Sequence, residues 1–221
     1  MPLAIFDLDN TLLSGDSDYL WGRHLVALGV VDGPAYEAAN ARFYADYKAG
    51  RLDIDAFLAF ALRPLRDNDP ILLAAWRQAF VETVIAPLIG RPALDLVARH
   101  RAAGDTLLVI TATNAFVTAP IVERFGIAHL IATEPERDGD GYTGRVAGIP
   151  AFREGKVTRL QAWLAEQGAD LTGSHFYSDS INDLPLLERV DHAVAVDPDP
   201  LLAVIASERE WPIISLRETP A

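Results

Sequence analysis

The sequence predicts an α/β protein built on a doubly wound parallel sheet, with an inserted all-helical segment and a small β-hairpin. Three observations carry that expectation. Short apolar runs recur at residues 3–6, 107–111, 128–132, 174–178, 192–196 and 212–216. Several are too continuous for a half-exposed strand and suit parallel strands covered on both faces. Helical patterns at 92–103, 114–125 and 155–167 separate them, each followed by a glycine (Gly104, Gly126, Gly168) where the apolar periodicity stops. The stretch from 17 to about 85 contains no convincing strand and reads as helix throughout.

Each element follows in chain order. LAIF at 3–6 makes the first strand, and DLDNTLLSGDSD follows it directly. The helical block comes next and is long for a connection between two strands, so an inserted subdomain explains it better. The expected division is a core domain of 1–14 and 86–221 and a helical cap domain of 15–85. Ser14-Gly15 and the stretch from Pro87 to Gly90 are where the chain passes between them, and these are the expected hinges. Residues 134–148 (EPERDGDGYTGRVAG) break the strand–helix rhythm: Asp-Gly-Asp-Gly followed by alternating residues reads as a hairpin.

Composition narrows the function classes. A net charge of −12 speaks against a nucleic-acid partner, because no basic stripe exists to neutralise backbone phosphates. It also repels an anionic substrate at long range, so any anion site has to be locally positive. The absence of cysteine removes disulfides, thiolate catalysis and cysteine-based zinc sites. No apolar run approaches the roughly 18 residues that span a bilayer, and the N-terminus reaches Asp7 without a basic leader. The expectation is a cytoplasmic protein without a membrane partner.

In an open α/β sheet, ligands bind outside the carboxyl ends of the strands. Those ends carry Asp7-Leu8-Asp9, then Thr111-Ala112-Thr113, then Ser178-Asp179-Ser180-Ile181-Asn182-Asp183, with Lys156 opening the helix between. Singly, an acid after a strand is a helix cap or a solvated loop residue. Asp7, Asp179 and Asp183 on neighbouring loops are a cluster that needs a cation to stay ionised. All-oxygen donors without His or Cys suit Mg²⁺. Of 19 basic residues only Lys48 and Lys156 are lysine. A cation at a helix start opposes the helix dipole, so Lys156 points to work beside the acids, holding an acidic group or developing negative charge. The Thr111 hydroxyl and the amides after it suit phosphate oxygens. An aspartate in such a site serves as a nucleophile, and Asp9 is placed to protonate a leaving oxygen and later deprotonate water.

These residues form a recognisable set. DLDNT at 7–11 matches the DxDx[TV] signature of the haloacid-dehalogenase-like (HAD) phosphatases. Thr111 after Val-Ile, Lys156, and DSxND at 179–183 match that superfamily's later motifs in order. The sequence resembles this superfamily over nearly its whole length, and its helical insertion and hairpin are similar to those of the phosphoserine-phosphatase-like branch (subfamily IB). The resemblance implies a Rossmann-like core and a Mg²⁺-dependent phosphomonoesterase acting on a small-molecule phosphate ester through an aspartyl-phosphate. In that scheme Asp7 is nucleophile and metal ligand, and Asp9 is general acid/base and gives a backbone carbonyl to the metal. Asp179 is the second carboxylate ligand and Asp183 holds metal-bound water. Thr111, Lys156 and Asn182, with the Ala112 amide, bind the phosphoryl oxygens.

The cap departs from the branch pattern. Phosphoserine phosphatases hold the substrate amine with an acid shortly after the first motif, and Asp16 stands there. They hold the carboxylate with a cap arginine. Counting from Gly50 in AGRLDIDAFLAFAL, that position falls at or near Ala61, with Arg63 and Arg66 one helical step away as candidate substitutes, Arg63 being the candidate substrate contact. A site built for a carboxylate loses heavily without its charged partner. An amino-alcohol phosphate such as histidinol phosphate, phosphoethanolamine or phosphocholine therefore fits better than phosphoserine. Trp21, Tyr19, Phe57 and Phe60 either line a pocket for an imidazole or quaternary amine or pack the helices together. Asp16 either reads the substrate or caps the helix, and Asp18 is expected to stabilise the first turn. Two other readings stand beside this one: phosphoserine phosphatase, and a non-catalytic phosphate- or metal-binding module. Binding alone needs no acid/base, so the presence of both Asp7 and Asp9 speaks against the module.

Overall fold

The computed structural model describes residues 2–217. Its strands are β1 (Leu3–Phe6), β2 (Thr106–Asn114), β3 (His129–Thr133), β4 (Pro135–Asp138), β5 (Gly141–Val146), β6 (His175–Ser178), β7 (His192–Val196) and β8 (Ile213–Ile214). Among the described residues, six form a parallel sheet in the order β3-β2-β1-β6-β7-β8, and β4 and β5 pair as an antiparallel hairpin. The chain winds outward from β1 through β2 to β3, then returns to the other side of β1 for β6, β7 and β8. The winding therefore reverses at β1, with β2 and β6 flanking it, which is where such sheets open a crevice.

One strand runs further than its apolar core implies. β2 continues past Thr111 to Asn114, with its register against β3 shifting between those residues. Such a bulge bends a strand and re-aims its side chains. Thr-Ala-Thr-Asn reads as a loop in sequence because nothing local signals the irregular pairing.

The helices are α1 (Ser17–Ala27), α2 (Gly33–Lys48), α3 (Ile54–Ala61), α4 (Arg63–Asp67), α5 (Pro70–Phe80), α6 (Arg91–Ala103), α7 (Ala115–Arg124), α8 (Glu154–Gln167), α9 (Leu184–Leu187) and α10 (Pro200–Glu208). The side chains of Asp16, Asp53, Asp69, Asn114 and Asp199 accept from first-turn amides of α1, α3, α5, α7 and α10. Four of the 31 acidic residues thus satisfy helix N-termini. Gly104 and Gly168 end α6 and α8 in the left-handed region at φ 83° and 61°, where a Cβ is strained.

Alternation along β1 divides the core. Leu3 and Ile5 face one layer with Leu160 and Leu164 of α8 and Leu202 and Ala206 of α10. Ala4 and Phe6 face the other, with Leu96 of α6 and Val117 and Ile121 of α7. That second layer continues without a break into Trp21, Leu25, Leu62, Leu65, Leu73 and Phe80 of the helical segment. The two passages into and out of that segment lie side by side, with the Ser14 amide donating to Leu88 O at 3.0 Å. Pro70–Leu88 forms a 19-residue helical rod with a mean hydropathy of 1.3, long and apolar enough to cross a membrane by length and composition. Arg77 and Glu82 interrupt it, so it is not a continuous apolar run. Leu73, Phe80, Val81 and Ile85 pack into the shared core, and Arg77 donates to Phe116 O at 2.9 Å.

Candidate active site

After β1 the backbone stays extended through Asp7 and then coils over Leu8–Leu12. Asn10 takes a left-handed conformation at φ 57°, which asparagine tolerates better than most residues. Its amide donates to Gly15 O at 2.9 Å and closes the loop. The outcome is two buried carboxylates, Asp7 and Asp9, at the end of the central strand.

Lys156 reaches them from α8. Its Nζ lies 2.8 Å from Asp7 Oδ1 and 2.7 Å from Asp183 Oδ1, with the side chain 2% exposed. Delivery of that lysine depends on a close approach, because a Cβ at Gly155 would stand 2.0 Å from Pro150 O. Asp183 is also held by the Ser178 hydroxyl, which donates to Oδ2 at 2.6 Å. The Thr11 hydroxyl accepts from the Asp179 amide at 3.0 Å. It lies 3.1 Å from Asp179 Oδ1 and 3.3 Å from Asp7 Oδ2, its one proton shared between them.

Asp9 belongs to a separate set. Oδ1 accepts from the Ser17 amide at 2.6 Å, at the start of α1, and Oδ2 accepts from the Thr113 hydroxyl at 2.8 Å. Thr111 Oγ1 lies 3.4 Å from the same oxygen and accepts from the Thr113 amide at 3.2 Å. Asn182 donates through Nδ2 to Tyr47 O at 3.0 Å and to Ser180 Oγ at 3.1 Å, while its Oδ1 accepts from Arg153 Nε at 3.1 Å.

Burial dominates the electrostatics. It lifts the Asp7 carboxyl to about 7, with Lys156 opposing and the charges of Asp183 and Asp9 adding to the rise. Burial raises Asp9 too, against the bonds from Ser17 and Thr113. Asp179 stands well above the ordinary range, from burial first and then from Asp7 and Asp183. For Lys156, burial works against the charged form, yet Asp183 and Asp7 hold it protonated above its usual value.

Among the described residues, no three acidic or imidazole groups converge at metal-ligand spacing. Asp183 is turned onto Lys156 and Ser178. What remains suits Mg²⁺: Asp7 and Asp179 share the Thr11 hydroxyl, and this ion commonly takes one or two carboxylates with waters and phosphate. Among the described residues no basic side chain pairs with Asp179, so a divalent cation is the partner that would keep that buried acid ionised.

The cavity in front of these groups is lined by Asp7, Asp9, Thr111, Ala112 and Thr113. Asp16, Asp18 and Asn40, with the rings of Tyr19, Phe43, Tyr44, Tyr47 and Phe57, line it too, and no basic side chain is among the lining residues. Asp16 Oδ1 accepts from the Tyr19 amide at 2.8 Å, so this residue caps α1 and also faces the cavity. Burial and then the Asp9 charge raise Asp16 well above its ordinary value and Asp18 to about 7.

The Asp18 shift has a signed consequence. A carboxyl whose folded value lies above its unfolded 3.8 contributes stability that is present below pH ~4 and lost as the pH rises to about 7. Asp18→Asn is therefore expected to raise the Tm of the metal-free protein at pH 8 and to change it little at pH 4. Thermal unfolding at the two pH values checks this, and a lower Tm at pH 8 would contradict it.

Trp21, Arg63 and Phe60, each a candidate substrate contact in the sequence, lie outside the cavity lining. Trp21 is 2% exposed and packs against Phe80 and Phe116 at ring distances of 5.3 and 6.0 Å. Its large apolar ring fills the seam between α1, α5 and α7, and burial there outweighs any role in the cavity. Arg63 sits on the exposed face of α4, paired with Asp67 at 3.2 Å, and lines an outer groove. Phe60 packs on Tyr36 and Phe43 instead of lining the site. Thr11, Thr113, Ser178, Tyr44, Tyr47 and Arg153 contribute without having been singled out for a role. Thr11 closes the DLDNT motif and was the one with a local signal.

An acid pair beside a buried lysine thus stands at the strand ends of a doubly wound parallel sheet, next to the helical insertion. Residues 4–188 match the family of haloacid dehalogenase-like hydrolases. The chain is 47% identical over 219 residues to a histidinol-phosphatase of Neisseria meningitidis serogroup C, covering 97% of this chain and 99% of that one. It is 32% identical over 217 residues to a phosphoserine phosphatase of Mycobacterium tuberculosis, covering 97% and 70% respectively. Among solved structures, a protein of unknown function from Bordetella pertussis Tohama I superposes with a TM-score of 0.92 at 46% identity, covering 98% of this chain and 99% of that one. A phosphoserine phosphatase carrying an analogue of a phospho-aspartyl intermediate shares the fold, with a TM-score of 0.72 at 16% identity and coverage of 98% and 94%. The chain belongs to the haloacid dehalogenase-like hydrolases, and within them it is a phosphatase.

Proposed function

We propose that the protein is a Mg²⁺-dependent phosphomonoesterase that hydrolyses a small cytoplasmic amino-alcohol phosphate, histidinol phosphate being the leading candidate, through an aspartyl-phosphate. The observation that carries this reading is the cavity itself. Asp7 and Asp9 share it with further acids and a set of aromatic rings, and no basic side chain is among the lining residues. A cationic imidazole or amine suits that lining, whereas the carboxylate of phosphoserine would find no basic partner there. The 47% identity to a histidinol-phosphatase supports the same choice.

In this reading Asp7 attacks phosphorus while the bond to the substrate's alkoxide oxygen breaks. Asp9, whose carboxyl burial raises above the usual range, gives its proton to that oxygen. Asp9 then takes a proton from the water that attacks the aspartyl-phosphate, which releases inorganic phosphate and restores the Asp7 carboxylate. Lys156, Thr111, Asn182 and the Ala112 amide hold the phosphoryl oxygens, and Asp183 with Ser178 keeps Lys156 in place. Asp7, Asp179 and the Asp9 carbonyl would hold Mg²⁺, which when bound neutralises phosphoryl charge. Residues 15–85 act as the cap over this site.

A panel of phosphate esters with and without Mg²⁺ tests the assignment. Hydrolysis is expected only with the cation, and histidinol phosphate is expected to exceed phosphoserine in kcat/KM by about 100-fold, as befits a charge left without a partner. Phosphoserine as the best substrate would overturn the substrate class. Metal-independent hydrolysis would overturn the cofactor.

A further inference from the structure

Arg153 is a bulky residue held at φ 49°, ψ −121°. Those angles belong to the first central position of a type II′ turn, where glycine is the ordinary occupant. The Gly155 amide closes that turn by donating to Phe152 O at 2.8 Å. Such a backbone persists in a non-glycine residue only where its surroundings hold it, and here the side chain is held at three points. Nε donates to Asn182 Oδ1 at 3.1 Å, Nη2 donates to Gly50 O, and the guanidinium carbon lies 5.0 Å from the centre of the Phe152 ring.

Gly50 lies in the turn between α2 and α3. At φ 64° it brings that turn against the Asn182 loop, since a Cβ there would meet Ile181 Cγ2 at 3.3 Å. Asn182 itself reaches the same segment by donating to Tyr47 O. Beneath these contacts Phe43 and Leu52 of the helical segment pack with Phe152 in a cluster separate from both layers of the main core.

We propose that Arg153 is a positioning residue that fixes the Asn182 amide and holds the α2–α3 turn against the phosphoryl end of the cavity. Arginine suits this task because its planar fork makes two directed bonds at once, which the point charge of lysine does not. The proposal rests on the phosphatase reading for the task of Asn182, and on geometry alone for the hold on the turn.

Arg153→Gly is the informative variant, because glycine relieves the backbone while removing the guanidinium. It is expected to remain folded, to raise KM for the phosphate ester roughly tenfold, and to change kcat less than about threefold. Amide hydrogen exchange over residues 50–53 should quicken about tenfold, with exchange in α8 unchanged. Arg153→Lys should fall between wild type and Arg153→Gly in both readouts, and it serves alone should the glycine variant not fold. Wild-type exchange at the turn in Arg153→Gly, quickened exchange with unaltered KM, or a lysine variant indistinguishable from wild type would each overturn the proposal. Should the wild-type protein hydrolyse none of the esters, the phosphatase reading fails, while the exchange comparison still decides whether Arg153 holds the turn.

Discussion

Asp7→Asn is expected to lower hydrolysis of an aryl phosphate by at least about 10³-fold, because removing a nucleophile takes away a covalent step that no neighbour can supply. The substitution keeps shape and hydrogen-bonding reach, so Lys156 Nζ still finds an oxygen where it now lies 2.8 Å from Asp7 Oδ1. It removes only the charge and the nucleophilic pair. Circular dichroism and gel filtration should therefore show a native fold beside the lost activity. Initial rates with saturating Mg²⁺ measure the effect, and a variant retaining a tenth of the wild-type rate would remove Asp7 from the role of nucleophile. Asp9 stands two residues on with its own partners, so its loss would spare the attacking group and slow proton transfer.

Lys156→Met is expected to cost about 3–5 kcal/mol of stability, the range for removing one partner from a buried ionic cluster. Both Asp7 and Asp183 are then left in the interior without their shared ammonium. The pH dependence distinguishes this cause from lost packing. Asp7 titrates near 7 in the intact site, and without the lysine it would hold its proton more tightly still. A neutral carboxylic acid tolerates burial, so the deficit should be smallest near pH 4 and should grow as the pH rises past 7. Lys156 itself stays protonated throughout that window, its value lying above 10.5. Denaturant unfolding at pH 5 and pH 8 measures the difference, and an equal deficit at both would assign the loss to packing.

The sheet and its acidic rim were legible because both are written locally. LAIF followed at once by DLDNT places a buried strand and its terminal acids in nine consecutive residues, and glycines mark the ends of α6 and α8 in the left-handed conformation that only they adopt cheaply. The lining of the cavity was less legible, because which face of a helix meets a ligand depends on the neighbours that cover the other faces. Tyr19 and Trp21 stand two positions apart on α1, and packing against Phe80 and Phe116 sends only Trp21 into the core. The join between Thr11 and Asp179 spans 168 positions, and no local pattern encodes it. The bulge that carries Thr113 to Asp9 is likewise a product of pairing between strands.

The continuous layer from the sheet into Trp21, Leu25, Leu73 and Phe80 has a consequence for how a substrate enters. Swinging the whole insertion away would expose that layer to water at about 25 cal/mol for each Å² of apolar surface. Parting Phe43 and Leu52 from Phe152 exposes far less. The insertion thus divides unequally into a pedestal, α1 with α4 and α5, continuous with the sheet's core, and a flap of α2 and α3. The flap rests on Phe152 and on α1, where Asn40 donates to Tyr19 O and Tyr44 stacks on Tyr19. Entry that disturbs only the flap leaves the pedestal, and with it the Ser17 amide that holds Asp9, in register for the next turnover.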